Sequence, residues 1–301
     1  MAKPTESVAE TIAWCGVGTL GRPIVRRLAD AGIAPILYDV RAEATAGLDG
    51  VGRAAATPAE AASEASLIFS TIPDDDALEV LALGADGLIG GMRPGSVYCD
   101  LSTVSPTSSA RVAAACDAAG VLYLRAAISG SVALAQAGKL TILASGPHTA
   151  FARCEPVFAH FSATRLHVGA AEEARVLKLM INNIAAATTA AVAESIAFGR
   201  KGGVDYDIIL DVIASSVVAS PLIQYKIDPL RRRDFSPTFT TRLMLKDMHI
   251  LASAAAELGC DLPLGTASIA VFEDQEREGY GDEDFFAGVK MMERRAGLED
   301  L

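Results

Sequence analysis

The chain has 301 residues, about two ordinary domains' worth of sequence. Hydrophobic residues make up 51% of it, which excludes global disorder and allows a sizeable core. A formal net charge of −11 argues against nucleic acid or an anionic membrane as partner. An anionic cofactor stays possible, because phosphate sites use local backbone N–H groups rather than net charge.

Thr11–Cys15 reads as a buried strand running into GVGTLG, which puts Gly16, Gly18 and Gly21 in G-x-G-x-x-G spacing. A helix is expected next, with Ile24, Val25, Leu28 and Ala31 at helical spacing and Gly32 as C-cap. Ala34–Tyr38 reads as a second strand that ends at Asp39. One glycine permits the tight turn, the next lets the backbone approach a pyrophosphate, and the third lets helix and strand pack closely. Gly16, Val17, Gly18, Thr19, Leu20 and Gly21 are therefore candidate cofactor residues. Asp39 is placed to accept hydrogen bonds from the adenosine ribose, and its charge disfavours a 2′-phosphate, which points to NAD. Arg41 is close enough in sequence to reach such a phosphate, so NADP stays open, although a solvated loop arginine is its plainer reading.

The alternation continues. Strands are expected over Ala65–Thr71, Val97–Thr103, Val121–Ser129 and Lys139–Gly146, with helices over Ala77–Leu83 and Val104–Gly120. The acidic run Asp74–Asp76 reads as a solvated loop; nothing clusters with it, and no metal site is expected. Ligands of such sheets bind beyond the carboxyl ends of the strands. Ile72, Pro73, Ser102, Thr103 and Ser129–Ser131 all fall at expected strand ends, beside the glycine loop and Asp39.

From about Arg165 the strand pattern stops. A long alanine-rich helix is expected from Glu172 to Lys201, then helices around Tyr206–Ser215, Pro221–Tyr225, Thr240–Leu258 and Gly265–Glu278. The expected class is α/β: an N-terminal Rossmann domain (1–165) followed by an all-helical C-terminal domain (166–301), joined by that long interdomain helix. Lys178 and Asn182 lie four apart on one helix face and interrupt an apolar segment. A partly buried lysine has a depressed pKa and serves as a proton donor near neutrality. His167 and His249 read as structural or solvated.

The five cysteines are widely spaced, form no C-x-x-C pair and read as small buried hydrophobes. No secretory h-region is visible, and the uncharged stretch Leu179–Ala193 looks too short to span a bilayer. A cytoplasmic protein without a membrane partner is the expectation.

Together these residues resemble the β-hydroxyacid dehydrogenase family over about residues 12–286. GVGTLGRPIVRRLADAG, DLSTVSPTSS, SGSVALAQAGKLTILASG, Lys178-Leu-Met-Ile-Asn182 and DFSPTFTTRLMLKDMHIL resemble five of its motifs, in order. The resemblance implies Lys178 as general acid/base, Asn182 positioning it and the substrate, and Ser129, Gly130 and Ser131 holding a substrate carboxylate. It implies Thr103 at the nicotinamide ribose and Lys246 over the nicotinamide side, braced by Asp247. The expected reaction is NAD(P)-dependent hydride transfer on a small 3-hydroxy acid or semialdehyde. Two departures, Arg125-Ala126-Ala127 and the segment Ala170–Arg175, flank the predicted site. They motivate an alternative, a ketone or imine reductase acting on a less polar substrate. A non-catalytic cofactor-binding interaction protein is a further alternative. A homodimer or homotetramer assembled through the helical domain is expected.

Overall fold

The computed structural model describes residues 10–298. By compactness the chain divides into one unit ending at Lys178 and a second beginning at Leu179.

The short apolar runs of the first unit form a single eight-stranded sheet. Its strands are β1 (Ile12–Cys15), β2 (Ile36–Tyr38), β3 (Arg53–Ala54), β4 (Leu67–Ser70), β5 (Val97–Asp100), β6 (Leu122–Ser129), β7 (Leu140–Ser145) and β8 (Ser162–Gly169). Their spatial order is β3-β2-β1-β4-β5-β6-β7-β8. All neighbours pair parallel except β6 and β7. Alternate residues of β1 face opposite sides of the sheet. Ile12 and Trp14 pack with Phe69 and Phe161 on one side, and Ala13 and Cys15 with Ile68 and Tyr98 on the other. Burial on both faces is what a sheet covered by crossover helices requires. The strand order reverses beside β1, which makes the carboxyl edge there the natural ligand crevice.

The helix Gly21–Asp30 follows β1 and ends at Gly32, whose φ of 80° suits glycine. Asp74–Asp76 is not a solvated loop. The Asp74 carboxylate caps the helix Asp75–Leu83 by accepting from the Ala77 N–H at 2.9 Å, and Asp75 accepts from the Ser105 N–H at 2.7 Å. Acidic groups at a helix start satisfy orphan donors and the macrodipole together.

The strand pattern also does not stop at Arg165. Strand β8 runs through that position and belongs to the first sheet, so a division at 165 cuts a strand. Its residues at 163, 164 and 166 are exposed, which hides it from a search for apolar runs.

The second unit is helical. The helix Glu173–Lys201 runs into it, followed by Tyr206–Ser215, Pro221–Arg231, Thr241–Leu258, Pro263–Gln275 and Gly288–Arg295. Pro221–Arg231 outruns the expected end at Tyr225, taking Pro229 into its final turn. Ala186, Val192, Ala193 and Ile196 of the long helix share a core with Leu210, Ile227, Met248 and Phe272. The stretch Leu179–Ala193, expected to be too short for a bilayer, thus lies in a 29-residue helix that by length and composition is sufficient to cross one. Ala186, Val192, Ala193 and Ile196 pack within the unit, while Met180, Ile184 and Phe198 of the same helix are exposed. Of the cysteines, four are buried as expected, but Cys260 is exposed.

Candidate active site

The carboxyl ends of β1, β2, β4, β5 and β6 lie on one edge, because these strands are mutually parallel. That edge carries Gly16–Gly21, Asp39, Ile72, Pro73, Thr103 and Ser129 in one unit. Gly16 has φ 88°, and a Cβ there would collide with the Thr71 carbonyl; one on Gly21 would collide with the Gly16 carbonyl. The loop is tied down by Thr71, whose hydroxyl donates to the Gly16 carbonyl at 2.6 Å while accepting from the Trp14 indole N–H at 3.1 Å. A Cβ on Gly18, by contrast, meets only the Arg41 guanidinium, at 3.7 Å. Gly18 therefore leaves the backbone open at the start of the helix Gly21–Asp30, a cradle that fits a dinucleotide pyrophosphate.

Asp39 closes the other side of this loop. It accepts from the Val17 N–H at 2.9 Å and from the Arg41 N–H at 3.0 Å, and the Arg41 guanidinium lies 3.6 Å from it. The Arg41 side chain is itself largely exposed. Val17 is buried and Thr19 exposed, with Leu20 packed partly against the core.

Ser129 ends β6, and Gly130 follows at φ 140°, where a Cβ would press on Leu140 and Leu134. Ser131 caps the short helix Val132–Gln136, accepting from the Leu134 N–H at 3.4 Å.

Lys178 and Asn182 stand one turn apart on the helix Glu173–Lys201, both shielded from full exposure. In the second unit the Asn182 amide donates to Asp247 Oδ2 at 2.6 Å, and Lys246 Nζ lies 2.7 Å from Asp247 Oδ1. One buried carboxylate thus holds both the amide and the ammonium. His167 Nε2 donates to the Gly146 carbonyl at 2.9 Å, and the exposed His249 faces Glu273.

A buried network beside the strand edge was not anticipated. Asp100 accepts from the Ser70 and Ser102 hydroxyls at 2.6 and 2.7 Å through Oδ1, and from Arg175 at 2.5 Å through Oδ2. Arg175 also donates to the Ser102 carbonyl at 2.6 Å, the Tyr123 hydroxyl at 3.2 Å and Ser109 Oγ at 3.3 Å. Burial pulls the Arg175 guanidinium down, but Asp100 and Tyr123 override it and the net displacement is upward. Burial pushes the Tyr98 and Tyr123 phenols up, so both stay protonated. The two departures noted above also meet: Arg125 donates to Glu172 at 2.8 Å and stacks on Tyr123. A lone acid ending β5 and an arginine opening an otherwise apolar helix were the available signals in the sequence.

A doubly wound sheet with this glycine loop and terminal acid defines a dinucleotide-binding protein. Residues 11–169 match the family described as the NAD binding domain of 6-phosphogluconate dehydrogenase. Residues 173–292 match the NAD-binding family of NADP-dependent 3-hydroxyisobutyrate dehydrogenase. The 3-hydroxyisobutyrate dehydrogenase of Pseudomonas aeruginosa is 30% identical over 89% of this chain and 94% of its own length. The NAD-dependent L-serine dehydrogenase of the same organism is 28% identical, covering 95% of this chain and 99% of that one. The structure of Mycobacterium tuberculosis 3-hydroxyisobutyrate dehydrogenase with L-serine superposes with a TM-score of 0.84 at 26% identity, over 95% of this chain and 99% of that one. The chain belongs to the β-hydroxyacid dehydrogenase family and is an NAD(P)-dependent oxidoreductase.

Proposed function

We propose that the protein transfers hydride between a nicotinamide cofactor and a small 3-hydroxy acid or its semialdehyde. The observation that carries this reading is the Lys178–Asn182 pair, with Asn182 joined to the buried Asp247 and Asp247 to Lys246. The names of the relatives, L-serine and 3-hydroxyisobutyrate dehydrogenase, support the substrate class.

The nicotinamide supplies or accepts the hydride. Lys178 gives a proton to the substrate oxygen in reduction and takes it in oxidation. Asn182, aimed by Asp247, orients that oxygen. Ser129, Gly130 and Ser131 hold the carboxylate through hydroxyl and backbone N–H donors. Lys246 and Thr103 act on the nicotinamide side, and Ile72 and Pro73 border it. Asp39 reads the adenosine ribose, which favours NAD over NADP, with Arg41 able to swing towards a 2′-phosphate.

Self-association as a dimer or tetramer fits the exposed Met180, Ile184 and Phe198, which follow one face of the long helix. Five unpaired thiols fit a reducing, cytoplasmic setting.

The test is NADH and NADPH oxidation against glyoxylate, succinic, tartronate and methylmalonate semialdehydes, a neutral ketone and a cyclic imine. Carboxylate-selective turnover is expected. Turnover confined to the ketone or imine would move the assignment to a reductase of less polar substrates. Cofactor binding without any turnover would instead favour a binding protein.

A further inference from the structure

The geometry points to Arg175 as a positioning residue for Lys178: it fastens the first turn of the lysine's helix to the loop after β5 that carries Thr103. The inference rests on the reading of Lys178 as the proton donor.

Arg175 lies three residues before Lys178, within one helical turn, so the two side chains share a face of the helix. Its side chain is 1% exposed, and its guanidinium spreads over four partners on three other elements. These are Asp100 and the Ser102 carbonyl at the end of β5, Tyr123 on β6, and Ser109 on the helix Pro106–Ala118. The same carboxylate reaches further. Asp100 Oδ1 holds the Ser102 hydroxyl, which in turn accepts from the Ile72 N–H at 2.9 Å. Two of the candidate cofactor residues are therefore fixed by this network: Ile72 through its own N–H, and Thr103 through the preceding carbonyl.

The backbone of this helix start is held by the Ala174 N–H on Ser145 Oγ at 3.0 Å, and the enclosed, charged fork fixes the side of the turn that meets Asp100. An arginine fork meets several acceptors at once, whereas a lysine offers one compact charge to the same space. The Arg125–Glu172 pair holds the residue just before the helix, so the two departures from the family pattern act on one short segment. The function of the network follows from where its ends lie. One end is the loop that borders the nicotinamide, and the other is the turn that carries the proton donor.

The test is a double-mutant cycle between Arg175→Lys and Lys178→Ala. It is read by single-turnover hydride transfer, NADH affinity from protein fluorescence, and thermal unfolding. Arg175→Lys keeps a cation for Asp100 but gives up the spread of contacts. Turnover is expected to fall about tenfold to a hundredfold, and NADH affinity by less, because Asp100 keeps its hold on Ser102 and through it on Ile72. In the Lys178→Ala background the same substitution is expected to cost almost nothing further, because the group it positions is gone. Equal losses in both backgrounds would overturn the proposal and leave Arg175 a purely structural residue. If Arg175→Lys does not fold, the neutral pair Asp100→Asn/Arg175→Gln, which leaves no uncompensated buried charge, is put through the same cycle with the same expectation. Full turnover in Lys178→Ala alone would remove the proton donor itself, and the positioning role with it; that result is read from the single variant, before the cycle is closed.

Discussion

Asp100 in the first unit and Asp247 in the second are both buried carboxylates holding a cation, yet their surroundings differ. Asp100 has its arginine, two serine hydroxyls and no exposure. Asp247 has an amide and a lysine whose side chain is 26% exposed. A fully enclosed pair adds little net stability, since desolvation offsets its attraction, but it fixes the position of everything attached to it. A pair whose cation reaches the surface keeps that charge where a ligand can meet it. The first arrangement builds a frame, and the second leaves a cation within reach of solvent.

Breaking the enclosed pair gives the largest expected effect. Asp100→Ala strands the Arg175 guanidinium in the interior and should lower stability by about 3–5 kcal/mol, measured by urea unfolding. A loss within the noise of that measurement would mean that water reaches the network. Asp247→Ala should cost less stability than Asp100→Ala, about 1–3 kcal/mol, since Lys246 can turn to water, and weaken turnover about tenfold to a hundredfold, the scale of lost charge-assisted hydrogen bonds to Asn182 and Lys246. A variant equal to wild type in kcat and KM would deny the second pair any part in the chemistry.

A smaller change is expected at the cofactor end. Asp39→Ala should cut the preference for NADH over NADPH by about tenfold, the effect of losing one charged hydrogen-bond acceptor. An unaltered ratio would show that Asp39, already engaged by the Val17 and Arg41 N–H groups, serves the loop rather than the ribose. Least costly to the protein is thiol labelling. Burial pushes the Cys15 and Cys116 thiols up to about 12 and Cys99 well above its ordinary value. A chromogenic disulfide at neutral pH should titrate one thiol of the native protein, Cys260, and all five after denaturation. A second fast thiol would show that the sheet core opens.

The strand edge was legible in the sequence because its signals are local. A strand, a glycine loop, a helix, a second strand and an acid follow one another within thirty residues of chain, from Ile12 to Asp39. Lys178 and Asn182 were legible for the same reason, lying one helical turn apart. Strand β8 was not, because its pairing partner β7 and not its own composition makes it a strand: Thr164 and Leu166 are exposed, and Arg165 and His167 alternate with them. The roles of Asp100 and Arg175 were hidden because the pair is 75 residues apart and meets only after four parallel strands have been ordered. Helical periodicity could not reveal that strands and a helix enclose the Arg175 side chain.

Lys178→Ala, measured for both NADH binding and turnover on the best carboxylated substrate, decides whether Lys178 is the proton donor. Binding should persist while turnover falls by about two orders of magnitude or more, the loss expected when a general acid is removed. Turnover at the wild-type rate would contradict the account, whatever the substrate proves to be.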